Sequence, residues 1–282
     1  MSAASGQGIF YTERDLADAD VHTFPAGTAA VCTCRCPGKE TSNEDAAALI
    51  PYSDDAMVLA VADGLGGVRA GEVASRTALV TLAETLSGSA KEGLLLRTAL
   101  MNGIEQANQS VIDLGIGAAT TLAVVEIQDH TIRPYHVGDS MILTVGQRGR
   151  MKLQTVSHSP VGFAVESGML NEREAMHHED RHIVSNVIGM PEMRLEVGST
   201  LTLAERDTVL IASDGLFDNL RINEITACVR VGPIQRAADR LLADSLNRME
   251  KHWEGQPHKP DDLTFIVFRP GKVSRKKPEQ AS

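Results

Sequence analysis

Residues 57–67 read Met-Val-Leu-Ala-Val-Ala-Asp-Gly-Leu-Gly-Gly. The first six form a continuous apolar run, the pattern of a strand buried on both faces. The run ends on Asp63, and glycines follow. A carboxylate at the end of a buried strand is costly to desolvate unless it is paired or bound to a metal. Residues 208–215, Thr-Val-Leu-Ile-Ala-Ser-Asp-Gly, repeat the arrangement with Asp214. Asp261 and Asp262 stand just before another apolar stretch, 263–268, and Asn43-Glu44-Asp45 fall in a loop between two strands.

Outward from these acids the pattern fills in. Residues 1–27 are weakly patterned and are expected to pair loosely with the rest. Residues 29–35 alternate and read as a strand, closed by a turn at Pro37-Gly38. Helical spacing begins near Ala70, with Val73, Thr77 and Val80 on one face, and ends near Ser87-Gly88. A second helix is expected over 90–114, with Leu94, Leu95, Ala99, Ile104 and Val111 inward and Gly115 and Gly117 as its stop. Strands at 119–127 and 131–137 flank Gln128-Asp129-His130, a hairpin signal. Strands at 140–145 and 151–156 form a second hairpin. Residues 157–190 are mixed and polar and read as a helix-containing flap. Strands return at 195–203 and 208–213, helices at 222–229 and 233–253, and a last strand at 263–268.

This order implies an α+β fold of two antiparallel sheets with helices outside, a four-layer αββα sandwich. The expected organisation is an N-terminal segment 1–27, one domain 28–270, and a basic, disordered tail 271–282.

The 282 residues are 43% hydrophobic, enough for a sizeable core. A net charge of −10 argues against nucleic acid as a partner, because phosphate backbones need clustered Lys and Arg. No apolar run reaches the ~18 residues of a membrane span, and the N-terminus lacks the pattern of a signal peptide. The expectation is a cytoplasmic protein without membrane partners, taken as a monomer. Cys32, Cys34 and Cys36 alternate, which puts them on one face of a strand, too far apart to share one ion; they read as packed small side chains.

Converging carboxylates repel one another, and cations resolve the repulsion. Oxygen-only ligands select hard divalent ions, Mg²⁺ or Mn²⁺. Two such ions ~3.5–4 Å apart can lower the pKa of a water between them and clamp a phosphate. Any one Asp-Gly pair is ordinarily a turn. The ordered set, each member in strand context, carries the weight.

That set resembles the metal-dependent protein phosphatases, the type 2C or PPM family, over roughly residues 28–269. The motifs are Ser42-Asn43-Glu44-Asp45, Val61-Ala62-Asp63-Gly64-Leu65-Gly66-Gly67, Ala118-Ala119-Thr120-Thr121-Leu122, Val137-Gly138-Asp139-Ser140, Ser213-Asp214-Gly215-Leu216-Phe217-Asp218 and Asp261-Asp262-Leu263-Thr264. The resemblance implies a serine/threonine phosphatase that hydrolyses phosphoserine and phosphothreonine directly. It implies that Asp63 bridges two Mn²⁺ or Mg²⁺ ions and that Gly64 offers its carbonyl to one. Glu44 would bind a metal directly or through water, and Asp45 would hold a metal-bound water. Asp214 and Asp261 would bind the other ion, completing with Asp63 the catalytic set. Asp139, with Asp214, resembles the acid that holds a third, weaker ion in many bacterial members. The implied partners are a phosphoprotein substrate and a Ser/Thr kinase acting on the same target.

The chain also departs from the family. The Arg usually four residues before the motif Glu is Glu40, leaving Lys39 or Arg35 to grip the phosphate; a Lys offers a point charge rather than a fork. The His that follows Asp-Gly in many eukaryotic members is Leu65, and the Arg often found after Gly-Asp-Ser is Met141. These departures motivate an alternative, a phosphatase-like binding or regulatory module with weak or no turnover. His177, His178 and His182 read as part of a solvated flap and His158 as structural. Asp218 reads as a helix cap, Asp262 as support for the site, Asn186-Val187-Ile188-Gly189 as packing, and Trp253 as core.

Overall fold

A computed structural model describes residues 8–65 and 67–271; Gly66, the first seven residues and the expected basic tail from residue 272 lie outside the described residues. In chain order, β1 (Ile9–Thr12), β2 (Asp20–Phe24), β3 (Gly27–Cys34), β4 (Asp45–Pro51) and β5 (Ala56–Leu65) lead into α1 (Gly67–Lys91) and α2 (Leu96–Ile112). Strands β6 (Ala119–Thr120), β7 (Leu122–Gln128), β8 (Thr131–Val137), β9 (Met141–Val145) and β10 (Met151–Gln154) follow. The flap carries α3 (Pro160–Glu166), α4 (Glu172–Ala175) and a 3-10 turn, Glu179–His182. The chain ends through β11 (Glu196–Val197), β12 (Leu201–Thr202), β13 (Thr208–Ala212), α5 (Asp214–Phe217), α6 (Ile222–Val229), α7 (Ile234–Glu250) and β14 (Leu263–Pro270).

All strand pairings are antiparallel. One sheet runs β1-β4-β5-β7-β8-β11, with β12 also on β8 and β6 on β5; the other runs β10-β9-β13-β14-β3-β2. Side-chain parity sorts the apolar residues into three packed layers. Odd-numbered residues of β4, β5 and β7 (Ala47, Leu49, Met57, Leu59, Val61, Ala123, Val125) meet Ala29, Val31, Val209, Ile211, Ile266 and Phe268 from the second sheet. Even-numbered Ala46, Ala48, Ala60 and Ala62 face α1 and α2. The second sheet's outer face packs on α5, α6 and α7 through Leu210, Ala212, Phe265, Leu216, Ile225 and Leu241. These layers are the four-layer αββα sandwich.

Several local expectations need correction. The inward stripe of α1 is Ala74, Ala78, Leu79, Leu82 and Leu86, whereas Val80 is exposed. The alanine-rich face of β4 and β5 admits a close helix, so small residues pack there and the β-branched ones face outward. Helix α1 runs through Ser87 and Gly88 and stops at Gly93, whose φ of +72° is the left-handed cap geometry glycine adopts freely. Helix α2 therefore starts late, and Leu94 and Leu95 precede it on the surface. The N-terminal segment is better ordered into the fold than its weak pattern suggested, since β1 and β2 are edge strands of the two sheets. The strand expected over 195–203 is two short pieces on β8, interrupted at Gly198. Trp253 lies beyond α7 and is half exposed. Cys32 and Cys34 are packed in the sheet as expected, but Cys36 has left the strand.

Candidate metal centre

The site begins where the apolar inner rows of the sandwich run out. Continuing the odd-numbered inward row of β5 past Val61 gives Asp63, and continuing that of β4 backwards past Ala47 gives Asp45. The two acids are direct cross-strand partners. Like charges so placed destabilise a sheet. From the opposite sheet the inward rows end on Thr33, Ser213 and Thr264. Ser213 Oγ donates to Asp45 Oδ2 at 2.7 Å, across the sandwich, and the Thr33 and Thr264 hydroxyls lie 2.7 Å apart. Asn43 accepts from the Asp45 amide at 3.0 Å and donates to Thr33 Oγ1 at 2.9 Å. Asp63 is held by its backbone: its amide donates to Thr121 Oγ1 at 3.0 Å, and its carbonyl accepts from the Thr121 amide at 2.8 Å.

The remaining acids arrive from loops. Asp139 follows Gly138 (φ +105°) between β8 and β9. His158 clamps that turn: Gly138 N donates to His158 Nδ1 at 3.1 Å, and His158 N donates to the Gly138 carbonyl at 2.9 Å. Asp214 opens α5 and Asp218 closes it. Asp262 is buried and fully engaged. Its Oδ1 accepts from the Cys36 amide at 2.8 Å, and its Oδ2 accepts from the Glu44 amide at 2.7 Å and from Lys39 Nζ at 2.6 Å. The same Lys39 ammonium donates to Glu44 Oε2 at 2.7 Å. Arg35, exposed at the strand end, bonds Asp15 at 3.0 Å. Lys259 Nζ lies 2.5 Å from Asp214 Oδ2, 2.8 Å from Asp218 Oδ2 and 3.4 Å from Asp261 Oδ2.

Electrostatics follow from this crowding. Burial, then the charges of Asp45, Asp214, Asp139 and Asp261, pushes Asp63 well above the usual carboxylate range. Burial and Asp262 do the same to Asp45. Asp139 is pushed up to about 8 and Asp261 to about 6, in both cases by burial first and Asp214 next. Burial alone would lower Lys39, but its bonds to Asp262 and Glu44 outweigh that and raise it.

Asp45 Oδ1 is buried with no hydrogen-bond partner. An orphaned buried carboxylate oxygen, beside another carboxylate, fits a cation. The donors are all oxygens, which suits a hard divalent ion. Glycine is required around them. A Cβ on Gly64 would lie 2.2 Å from the Gly71 carbonyl oxygen, and one on Gly71 would lie 2.6 Å from Glu44 Oε1. On Gly215 it would lie 2.0 Å from the Asp262 carbonyl oxygen. Gly215→Ala is therefore expected to destabilise the protein by about 3 kcal/mol, read as a fall in thermal midpoint, because backbone rather than a pliable side chain must move.

A groove of about 1360 Å³ leads away from Asp139, Asp214 and Asp218, lined by Val161, Val165 and Met176 of the flap and by Phe217 and Ile222. His136, His158 and Glu196 form a second cluster with stacked rings 4.4 Å apart. Both Nε2 atoms there are already engaged, that of His136 with the Val156 carbonyl at 2.8 Å and that of His158 with Glu196 at 3.2 Å. In the flap, His178 accepts from the Asp180 amide, and His177 and His182 are exposed.

The family model described as Protein phosphatase 2C matches residues 35–253. The chain belongs to the protein phosphatase 2C family. It is a metal-dependent phosphoprotein phosphatase, a hydrolase, and the members of this family use divalent metals. It is 31% identical over 198 residues to a putative protein phosphatase 2C-type from Streptococcus pyogenes, covering 66% of this chain and 78% of that one. It is 31% identical over 188 residues to the serine/threonine phosphatase stp of Listeria welshimeri, covering 62% and 72%. Its fold superposes on the PPM Ser-Thr phosphatase MsPP of Mycobacterium smegmatis, solved with cacodylate, at a TM-score of 0.72 and 28% identity, over 86% of this chain and 98% of that one. The serine/threonine phosphatase of S. agalactiae gives 0.73 at 26% identity, over 86% and 98%.

The fold thus brings Glu44, Asp45, Asp63, Gly64, Asp139, Asp214 and Asp261 to one end of the sandwich. Among the described contacts it draws Lys39 into the cluster and leaves Arg35 with Asp15. Sequence reasoning missed Lys259, and it quoted Ser213 and Thr121 within motifs without giving either a role. Extending each strand's inward row by one step past its last apolar residue would have found Ser213 and Thr121. Lys259 follows no such periodicity.

Proposed function

We propose that the chain removes phosphate from phosphoserine and phosphothreonine of protein substrates at a centre of two Mn²⁺ or Mg²⁺ ions. The buried, unpaired Asp45 Oδ1 opposite Asp63 carries this reading. Asp63 is the acid best placed to serve both ions. Gly64 offers a carbonyl, and Glu44 and Asp45 complete one side, with Asp45 oriented by Ser213. Asp214 and Asp261 serve the other side, next to Asp139. When bound, the ions lower the pKa of a water and polarise the phosphoryl oxygens. The protein's own part is to hold the acids rigidly in place: Thr121 fixes Asp63, Asn43 and Ser213 fix Asp45, and Asp262 fixes the Glu44 backbone. Lys39, beside Glu44, is the better supported of the two phosphate candidates, because Arg35 contacts Asp15 instead. Partners in this reading are phosphoproteins and the kinase that modifies them.

The test is hydrolysis of a phosphothreonine peptide by chelator-stripped protein. Turnover is expected to be negligible without metal and restored by Mn²⁺. Tight peptide binding without turnover in excess Mn²⁺ would favour the binding-module alternative instead.

A further inference from the structure

We propose that the Lys259 ammonium is a tethered cation that fills the Asp139–Asp214–Asp218 end of the centre, so that this chain takes up two divalent ions and excludes a third. The proposal rests on the metal-centre reading above and concerns which end of the acidic cluster an ion can enter.

Three carboxylates from two segments converge on Lys259 Nζ: Asp214 and Asp218 at the two ends of α5, and Asp261 in the segment before β14. Asp139 lines the same groove as Asp214 and Asp218. The lysine is not a surface side chain that happens to fold inward. It is about one-fifth exposed, and its backbone is locked on both sides by Asn219, which is fully buried. Lys259 N donates to Asn219 Oδ1 at 2.9 Å, and Asn219 Nδ2 donates to the Lys259 carbonyl at 2.7 Å. Asn219 Nδ2 also bonds the Gly215 carbonyl at 2.9 Å, in the turn that carries Asp214. The ammonium and the acids it meets are therefore anchored to one rigid unit, and Pro260 stiffens the chain between Lys259 and Asp261.

Charge makes the arrangement consequential. Asp218 Oδ2 is buried and has no well-directed donor, although Nζ lies 2.8 Å away. It gains from the ammonium as an ion pair rather than through an aligned hydrogen bond. An ion arriving at this end must lose part of its water shell and displace a cation tethered beside its ligands. A tethered group acts at an effective concentration of ~mM or above, so a weakly held ion loses that competition. Among the described contacts Lys259 touches none of Asp45, Asp63 and Glu44, so an ion held there is unaffected, and the ion served by Asp214 and Asp261 keeps Asp63, outside the ammonium's contacts, as its anchor.

The experiment counts bound Mn²⁺ by equilibrium dialysis of the metal-stripped full chain, with free Mn²⁺ measured by electron paramagnetic resonance. The native chain is expected to saturate at two ions. Lys259→Met is expected to bind a third, about tenfold or more tighter than any further uptake by the native chain. Lys259→Arg, which keeps the charge, should behave as native, and adding Asp218→Asn to Lys259→Met should abolish the third ion. If Lys259→Met does not fold, Lys259→Gln carries the same prediction and the same overturning result. A native chain that binds three ions overturns the proposal, as does Lys259→Met stopping at two beside a native chain that also binds two. A native chain that binds no Mn²⁺ overturns the metal-centre reading and this proposal with it.

Discussion

Asp63→Asn is expected to lower kcat/KM toward a phosphothreonine peptide by about 10³-fold or more at saturating Mn²⁺, a loss of ~4 kcal/mol of transition-state stabilisation. The substitution is nearly isosteric. It leaves untouched the two backbone bonds to Thr121 that hold this residue in place, so the loss reports the carboxylate rather than the fold. Stability should move the other way. In the metal-free protein, burial and the neighbouring acids oppose ionisation of Asp63, and it faces Asp45 across the strand pair. A neutral side chain removes both penalties. The metal-free variant is expected to melt about 3 °C or more above the native chain, while losing most of the stabilisation that Mn²⁺ confers. Activity lost together with metal-free stability would mean that Asp63 is structural. Activity retained would remove it from the centre.

The same residue shows how far the sequence could be read. Asp63 and Asp214 were legible because each ends a continuous apolar run, and a carboxylate there demands a partner. The two-sheet sandwich was legible from the succession of short runs and hairpin signals. The phase of α1 was not. Period-3.6 counting chose Val73, Thr77 and Val80, but the alanines of β4 and β5 draw the helix in close and select the small residues Ala74 and Ala78 instead. Asp45 reads as a loop residue although it opens strand β4, because a charged acid that belongs to the site stands where an apolar strand residue would, the kind of position where local pattern and function disagree. The ion-pair partners of Lys39 and Lys259 were opaque for another reason. Each lysine pairs with acids far away in sequence, Lys39 with Asp262 and Lys259 with Asp214, and nothing in local spacing reports a contact made only after the sheets close.

Lys259 and its acids also set the response to pH. For most proteins, ionised carboxylates gain from folding, and stability is lost as pH falls. Here the signs are reversed. Asp139 and Asp261 have folded values of about 8 and about 6, against an ordinary 3.8, and Asp45 and Asp63 are raised as well. Between these limits the folded metal-free protein holds protons that the unfolded chain has released, so stability falls as pH rises. Water screens the partly exposed Asp261, so the buried acids dominate the effect. The metal-free chain is expected to lose about 2 kcal/mol between pH 5 and pH 8, which lowers its thermal midpoint by ~4–8 °C for a domain of this size. Mn²⁺ should invert the slope. Its ligands must be deprotonated, so its affinity rises with pH, and at a hundredfold excess over Kd it adds about 2.7 kcal/mol. Scanning calorimetry at pH 5, 6.5 and 8, with and without Mn²⁺, should therefore give two lines that diverge toward high pH. A metal-free midpoint that climbs from pH 5 to pH 8 would mean that these acids are ionised and paired without metal, Lys39 and Lys259 then supplying all the compensation the cluster needs.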